Sequence, residues 1–336
     1  MTEEKRNSTL DVYKGLLIII VVVRHILQFS VSDEGGILTN ILWAIQMPGF
    51  MLVSGYFGAK ACNSKNELLQ SIRKSIIRYA IPFFSWFVLV NILLLGNYQR
   101  NIIKGLGVLI NRVDNGLWFL WTIFILSVIA SIDNYCYEKK QSPVKGLFVV
   151  ILLTIVLLGI FLIIAMIQGI NFLGTKYILY YSVFYFYGWV IRKTEKQPQI
   201  ISIIHNKGIT LVCGILFAFI VLNFDLYHCE DNILNITLRL VSGFCGNCIL
   251  INLVYLYAEQ LKKTKLAFIG RYTLEIYVTH VYFCSLFADN NYPFMTVNGF
   301  LNFLFSLSCT IFFSFLLICT IKGIPVLNFV FFGKKK

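Results

Sequence analysis

Apolar runs of about 20 residues, each membrane-length, recur along the whole chain and are separated by short polar connections. Ten can be marked, at roughly 10–30, 37–58, 76–96, 117–134, 147–166, 174–191, 207–224, 236–257, 271–289 and 299–321. The runs are continuous and do not alternate residue by residue, which predicts helices and argues against a barrel. In lipid the backbone must satisfy its own hydrogen bonds, and a helix does so within one segment. The pattern therefore predicts an all-α, polytopic transmembrane helix bundle of about ten spans. A single integral-membrane domain is expected over residues 1–336, with no appended soluble domain. The longest connections run from Gly58 to Ser75 and from Asn97 to Gly116. No internal repeat stands out, which counts mildly against transporter architectures built from inverted repeats.

The informative positions are the polar ones inside these runs. Asp11, Lys14 and His25 interrupt the first, LDVYKGLLIIIVVVRHILQFS. An ionisable group at membrane depth is costly, and it usually faces protein or trapped water and has a function. Lys14 and His25 are 11 residues apart. At about 100° per residue they share one helix face, with His25 about 16 Å further along the axis. A cation near one end and an imidazole deeper in the same helix suggest a path from an anionic ligand to a reaction centre. His25 is either a histidine hydrogen-bonded between helices or a general base, a role its ordinary pKa suits. Asp11 and Lys14, three residues apart, can also simply pair with each other.

Composition agrees with a membrane protein: 58% of residues are hydrophobic and 13% charged, against about 25% charged in soluble domains. The net charge is +13. With the N-terminus in the cytoplasm, two of the 29 Lys and Arg lie in the first span and five lie outside (Arg100, Lys104, Arg112, Lys176, Arg239), leaving 22 on the cytoplasmic side. That asymmetry follows the positive-inside rule, so both termini are expected in the cytoplasm. Asp33, Glu34, Asp225, Glu230 and Asp231 then fall outside, and the tail Lys334–Lys336 lies near anionic lipid. Basic residues divided among separate loops argue against nucleic-acid binding. No cleavable signal peptide is expected, because the first run follows Lys5 and Arg6 but contains Lys14 and His25 and lacks a small-residue cleavage site.

Further polar positions carry two readings each. In Gln46–Tyr56, Pro48 frees a backbone carbonyl, and Ser54 with Gly55 permits close helix approach; a nucleophilic Ser54 would lack a base adjacent in sequence. Arg73, Lys74 and Arg78 lead into the third span, either snorkelling to the interface or binding phosphate at its rim. In a regular helix Arg73 and Arg78 diverge by about 140°. The run Asn115–Trp121 opens the fourth span with Trp118, which fits an interfacial aromatic belt and equally a flat surface for sugar rings. Glu275 and His280 lie inside the ninth run, and an intramembrane Glu is rarely idle. His205 and His228 lie in loops. Cys245 and Cys248 have CxxC spacing but lack further ligands, so no metal is expected and both read as small residues inside a span.

Taken in order, these pieces resemble the acyltransferase family 3 membrane proteins over nearly the whole chain. LDVYKGLLIIIVVVRH resembles the opening motif, MPGFMLVSGY a P-x-F-x-x-x-S-G segment, and RKSIIRYAIP the Arg-rich entry to the third span. NGLWFLWTIF resembles an LWFL motif, LYYSVFYFYGWVIRK an aromatic-Gly segment, and GRYTLEIYVTH the closing G-x-x-S-L-x-I-Y-x-x-H motif. Lys14 stands where many members have Arg, a less bidentate phosphate contact. The resemblance implies a multi-pass enzyme of the bacterial cytoplasmic (inner) membrane that O-acylates, mostly O-acetylates, an extracytoplasmic or lipid-linked glycan, alongside envelope-polysaccharide assembly proteins. It implies acetyl-CoA or another acyl-CoA as co-substrate, with no bound cofactor. His25 would be catalytic, Lys14, Arg73 and Arg78 would hold the donor's phosphates, and Asp11, Ser54, Trp118, Glu275 and His280 would support them. The alternatives are a transporter or flippase of a glycolipid or small solute, using Lys14, His25 and Glu275 as a pathway, and a glycan polymerase, which usually calls for a large outer loop.

Overall fold

A computed structural model describes residues 8–31, 36–140, 142–195, 206–286 and 294–334. Lys5, Arg6, Asp33, Glu34, His205, Lys335 and Lys336 lie outside the described residues. Twelve helices matter here: α1 (Ser8–Ser30), α2 (Ile37–Gly58), α3 (Lys65–Leu94), α4 (Ile102–Asn111), α5 (Trp118–Glu138), α6 (Pro143–Gln168), α7 (Thr175–Thr194), α8 (Lys207–Asn223), α9 (Ile233–Leu256), α10 (Thr273–Leu286), α11 (Val297–Gly323) and α12 (Pro325–Phe332). A helix occupies each of the ten apolar runs. Among the described residues six helices, α2, α3, α5, α6, α9 and α11, are long and apolar enough to cross a membrane.

Both long connections contain helix. Lys65–Ser75 is the helical start of α3, nucleated where the Ser64 hydroxyl accepts from the Glu67 N–H and Glu67 Oε2 accepts from the Asn63 N–H. This reciprocal cap satisfies two free backbone donors. In the second connection Asn101 caps α4 by accepting from Lys104 N–H. Within α3, Ile76–Ala80 and Val88–Leu94 are π-helical. Pro82 has no N–H to offer the carbonyl four residues back, and Ile81 N–H bonds Ile76 O instead. The wider turn narrows the angle that a regular helix would open between Arg73 and Arg78.

The chain forms two compact units, one of residues 1–53 and 194–320 and one of residues 54–193 and 321–336. In the first, α1 packs against α9, α10 and the one-turn helix Leu266–Ile269. Two glycines make this possible: a Cβ on Gly15 would stand 2.2 Å from Leu266 O, and one on Gly270 would stand 1.8 Å from Asp11 O. Small residues let backbones meet where no hydrophobic effect drives helices together. Asn247 on α9 ties three helices, donating to Ile45 O at 3.1 Å and to Gly243 O at 2.8 Å while accepting from Tyr13 Oη.

In the second unit, Gly55 meets Tyr185 in the same way, since a Cβ there would stand 1.7 Å from Tyr185 O. Asn134 donates to Gly58 O and accepts from Trp189 Nε1. Asp133, fully buried in α5, accepts from Thr154 Oγ1 at 3.0 Å. Helix α6 is apolar on all sides and leaves Phe148, Ile151, Leu152 and Ile155 exposed, the surface of a helix that meets lipid.

Candidate active site

The first unit brings His25 and His280 together from helices 255 residues apart. His280 Nε2 lies 3.3 Å from His25 Nδ1, and the rings meet edge to face at 5.0 Å. His280 is buried and His25 half-buried. Backbone carbonyls assign the protons. His280 Nδ1 stands 2.9 Å from both Ile276 O and Tyr277 O, and His25 Nδ1 stands 2.9 Å from Val21 O. A carbonyl only accepts, so each Nδ1 carries a hydrogen. His280 Nε2 is then a lone pair aimed at the His25 Nδ1–H, and His25 Nε2 is left as the basic nitrogen. An orienting partner of this kind fixes the tautomer of an imidazole. Phe29, one turn further along α1, stacks on the His25 ring at 6.3 Å.

At the other end of α1, Lys14 Nζ pairs with Asp11 Oδ1 at 2.7 Å, and Arg271 Nε stands 4.0 Å from Asp11 Oδ2. Asp11 is buried and Arg271 exposed. Glu275 is fully buried on α10, one turn after Arg271. Near His25, Gln28 Nε2 donates to Tyr227 Oη at 3.1 Å and the Arg24 guanidinium lies 4.6 Å from the Tyr227 ring. Tyr227 belongs to a loop that Arg239 pins by donating to Leu226 O and Cys229 O. In that loop burial opposes ionisation of Asp225, but the N–H groups of His228 and Tyr227 and the His228 ring outweigh it and hold the carboxyl below its usual range.

The remaining sequence-derived residues fall in the second unit. Arg73 and Arg78 are exposed on α3, and Arg78 sits in the first π turn. The Gly333 backbone packs there: a Cβ on it would stand 2.3 Å from Ile77 O and 2.6 Å from Arg78 Cα. Ser54 is half-buried beside Gly55 and has no hydrogen bond to a base among the described residues. Trp118 is stacked on Tyr177 at 4.4 Å and on Tyr181 at 5.2 Å. Sequence reasoning passed over Arg271, Tyr227 and Asp133. Arg271 had one signal, the glycine beside it; Tyr227 had none, because its contacts to α1 span some 200 residues.

A model of the acyltransferase domain matches residues 7–319. Nodulation protein NolL of Sinorhizobium fredii is 28% identical over 139 residues, 38% of each chain. Nodulation protein NolL of Mesorhizobium japonicum is 25% identical over 135 residues, 37% of this chain and 35% of that one. The matched stretches thus span little more than a third of these relatives' length. No solved structure matches the chain. With nearly all of its residues matched by the domain model, the chain belongs to acyltransferase family 3.

Proposed function

We propose that this protein is a membrane O-acyltransferase that moves an acyl group, most simply acetyl, from cytoplasmic acyl-CoA to a hydroxyl of an extracytoplasmic or lipid-linked glycan. The observation that carries the proposal is the His25–His280 pair, which leaves His25 Nε2 as a base. In this reading the bundle crosses the bacterial cytoplasmic membrane ten times with both termini inside, so Lys14 lies toward the cytoplasm and His25 deeper along the same helix. His25 Nε2 removes the hydroxyl proton as the oxygen attacks the thioester carbonyl. The tetrahedral centre collapses, the C–S bond breaks, and the imidazolium returns the proton to the departing sulfur. While His25 is cationic, its Nδ1–H is held by Val21 O and His280 Nε2, so the charge forms against acceptors already in place. Lys14 faces the donor's phosphates. For Arg73 and Arg78 a phosphate role rests on the sequence resemblance.

The test is the ester-linked acetyl content of surface glycans, read by NMR before and after mild alkali. Cells carrying the wild-type gene, no gene, or His25→Ala at equal membrane abundance are compared in a host that makes the native glycan. Alkali-labile acetyl is expected only with wild type. No difference among the three overturns the O-acetyl assignment, and full acetylation by His25→Ala overturns the role of His25.

A further inference from the structure

Arg271 is placed by backbone contact. Gly270 meets the Asp11 carbonyl and Gly15 meets Leu266, so the residue after Gly270 is held at the level of Asp11 and Lys14 on α1. Asp11, buried, holds Lys14 through one oxygen at 2.7 Å and faces Arg271 through the other at 4.0 Å. One carboxylate thus faces two cations. Access separates the two cations: the Lys14 side chain is 18% exposed and that of Arg271 52%. Arg271 approaches Asp11 only through Nε, and its terminal nitrogens have no hydrogen bond among the described residues. A planar guanidinium fork with its outer edge open matches the geometry of a phosphate.

The register along α1 adds direction. Gly15 precedes His25 by ten residues, and Gly270 precedes His280 by the same number. The segments meet at both ends, so the cationic cluster and the histidine pair are about 15 Å apart along the axis. That separation fits a ligand with a phosphorylated head and its reacting carbonyl at the end of a long arm.

We infer that Arg271, oriented by Asp11 and backed by Lys14, is a phosphate contact of the acyl donor. The inference rests on the donor reading given above. The shared chemistry is an oxyanion of phosphorus, which a coenzyme A or a lipid headgroup could supply, and the test separates these.

Full-length protein is placed in nanodiscs of phosphatidylcholine with or without phosphatidylglycerol, and coenzyme A binding is measured by calorimetry for wild type, His25→Ala, Arg271→Gln and Arg271→Lys. Donor kinetics are then compared for acetyl-CoA and for acetyl-pantetheine, which lacks the nucleotide phosphates. Arg271→Gln is expected to weaken coenzyme A binding and raise the Michaelis constant for acetyl-CoA about tenfold, the loss of one charge-assisted contact. It should leave kcat and the acetyl-pantetheine values within about twofold, and Arg271→Lys should recover part of the loss. Binding to His25→Ala should match wild type, because that arm is independent of turnover. If wild type does not bind coenzyme A, the donor reading falls and this inference with it. If wild type binds and Arg271→Gln binds equally, this inference alone is overturned. An effect confined to stabilisation by phosphatidylglycerol would assign Arg271 to lipid and also overturn it, as would equal losses with acetyl-pantetheine.

Discussion

Removing the His280 acceptor tests whether the histidine pair does chemistry or only packs. His25 Nδ1–H is shared between Val21 O at 2.9 Å and His280 Nε2 at 3.3 Å. When His25 takes up the substrate proton, both contacts become charge-assisted, a class worth about 1.5–3 kcal/mol each. The His280 contact is the longer of the two and Val21 O remains in the variant, so the loss should be about 1–2 kcal/mol. At 1.36 kcal/mol per decade that is a fall of roughly 5- to 30-fold in kcat. By contrast, His25→Ala removes the base itself and should cost about 10²- to 10⁴-fold. The assay is release of coenzyme A thiol from acetyl-CoA by His280→Phe and His280→Gln in proteoliposomes, at matched folded protein. His280→Gln, whose amide oxygen still offers an acceptor, should retain more activity than His280→Phe. The double variant His25→Ala/His280→Phe should be no slower than His25→Ala alone, because a residue acting only through His25 has nothing left to act on. A His280→Phe kcat within twofold of wild type would refute this, and so would a further tenfold loss in the double variant.

Two other outcomes follow from the packing and the loops. Gly270→Ala would drive a methyl group into the Asp11 carbonyl. The helix and turn must separate, so thermal unfolding in detergent should show a loss of at least the 1–3 kcal/mol typical of overpacking, and an unchanged melting temperature would mean that the backbones do not touch. For the loop around Asp225, the folded-state pKa of the carboxyl lies below its usual value. Its contribution is therefore present above the ordinary Asp range near 4 and is lost as pH falls through the depressed value. Hydrogen exchange of residues 226–231, corrected for intrinsic rate, should show protection falling below about pH 4 in wild type; protection that rises on acidification would contradict the assignment.

What could be read in the sequence was whatever one helix determines. Apolar runs gave the helices, and the 11-residue spacing of Lys14 and His25 gave their common face, because both depend only on local periodicity. The helices inside the long connections were not read, although Ser64-x-x-Glu67 and Asn101 carry the capping chemistry that starts them. The π turn at Arg78 was harder, since Pro82 signals a missing donor but not which carbonyl the backbone will choose in its place. Least legible was everything that α1 meets. Its partners lie 199 residues away at Tyr227 and 255 at His280, and no periodicity reaches that far.

Yet the site's register was written in two glycines. Gly15 and Gly270 are the points where a side chain would collide with opposing backbone, and each stands ten residues before a histidine. Once those glycines are set against each other, two segments running in the same direction rise together. The histidines then meet at one end, while Asp11, Lys14 and Arg271 gather at the other. Neither histidine's neighbourhood contains a polar residue that announces the other, so the pairing is specified at the glycine end and delivered at the histidine end by the stiffness of the helices between. Substitutions at Gly15 or Gly270 should therefore disturb the His25 ring from about 15 Å away, and chemical-shift changes at its imidazole nitrogens are where that coupling would first be seen.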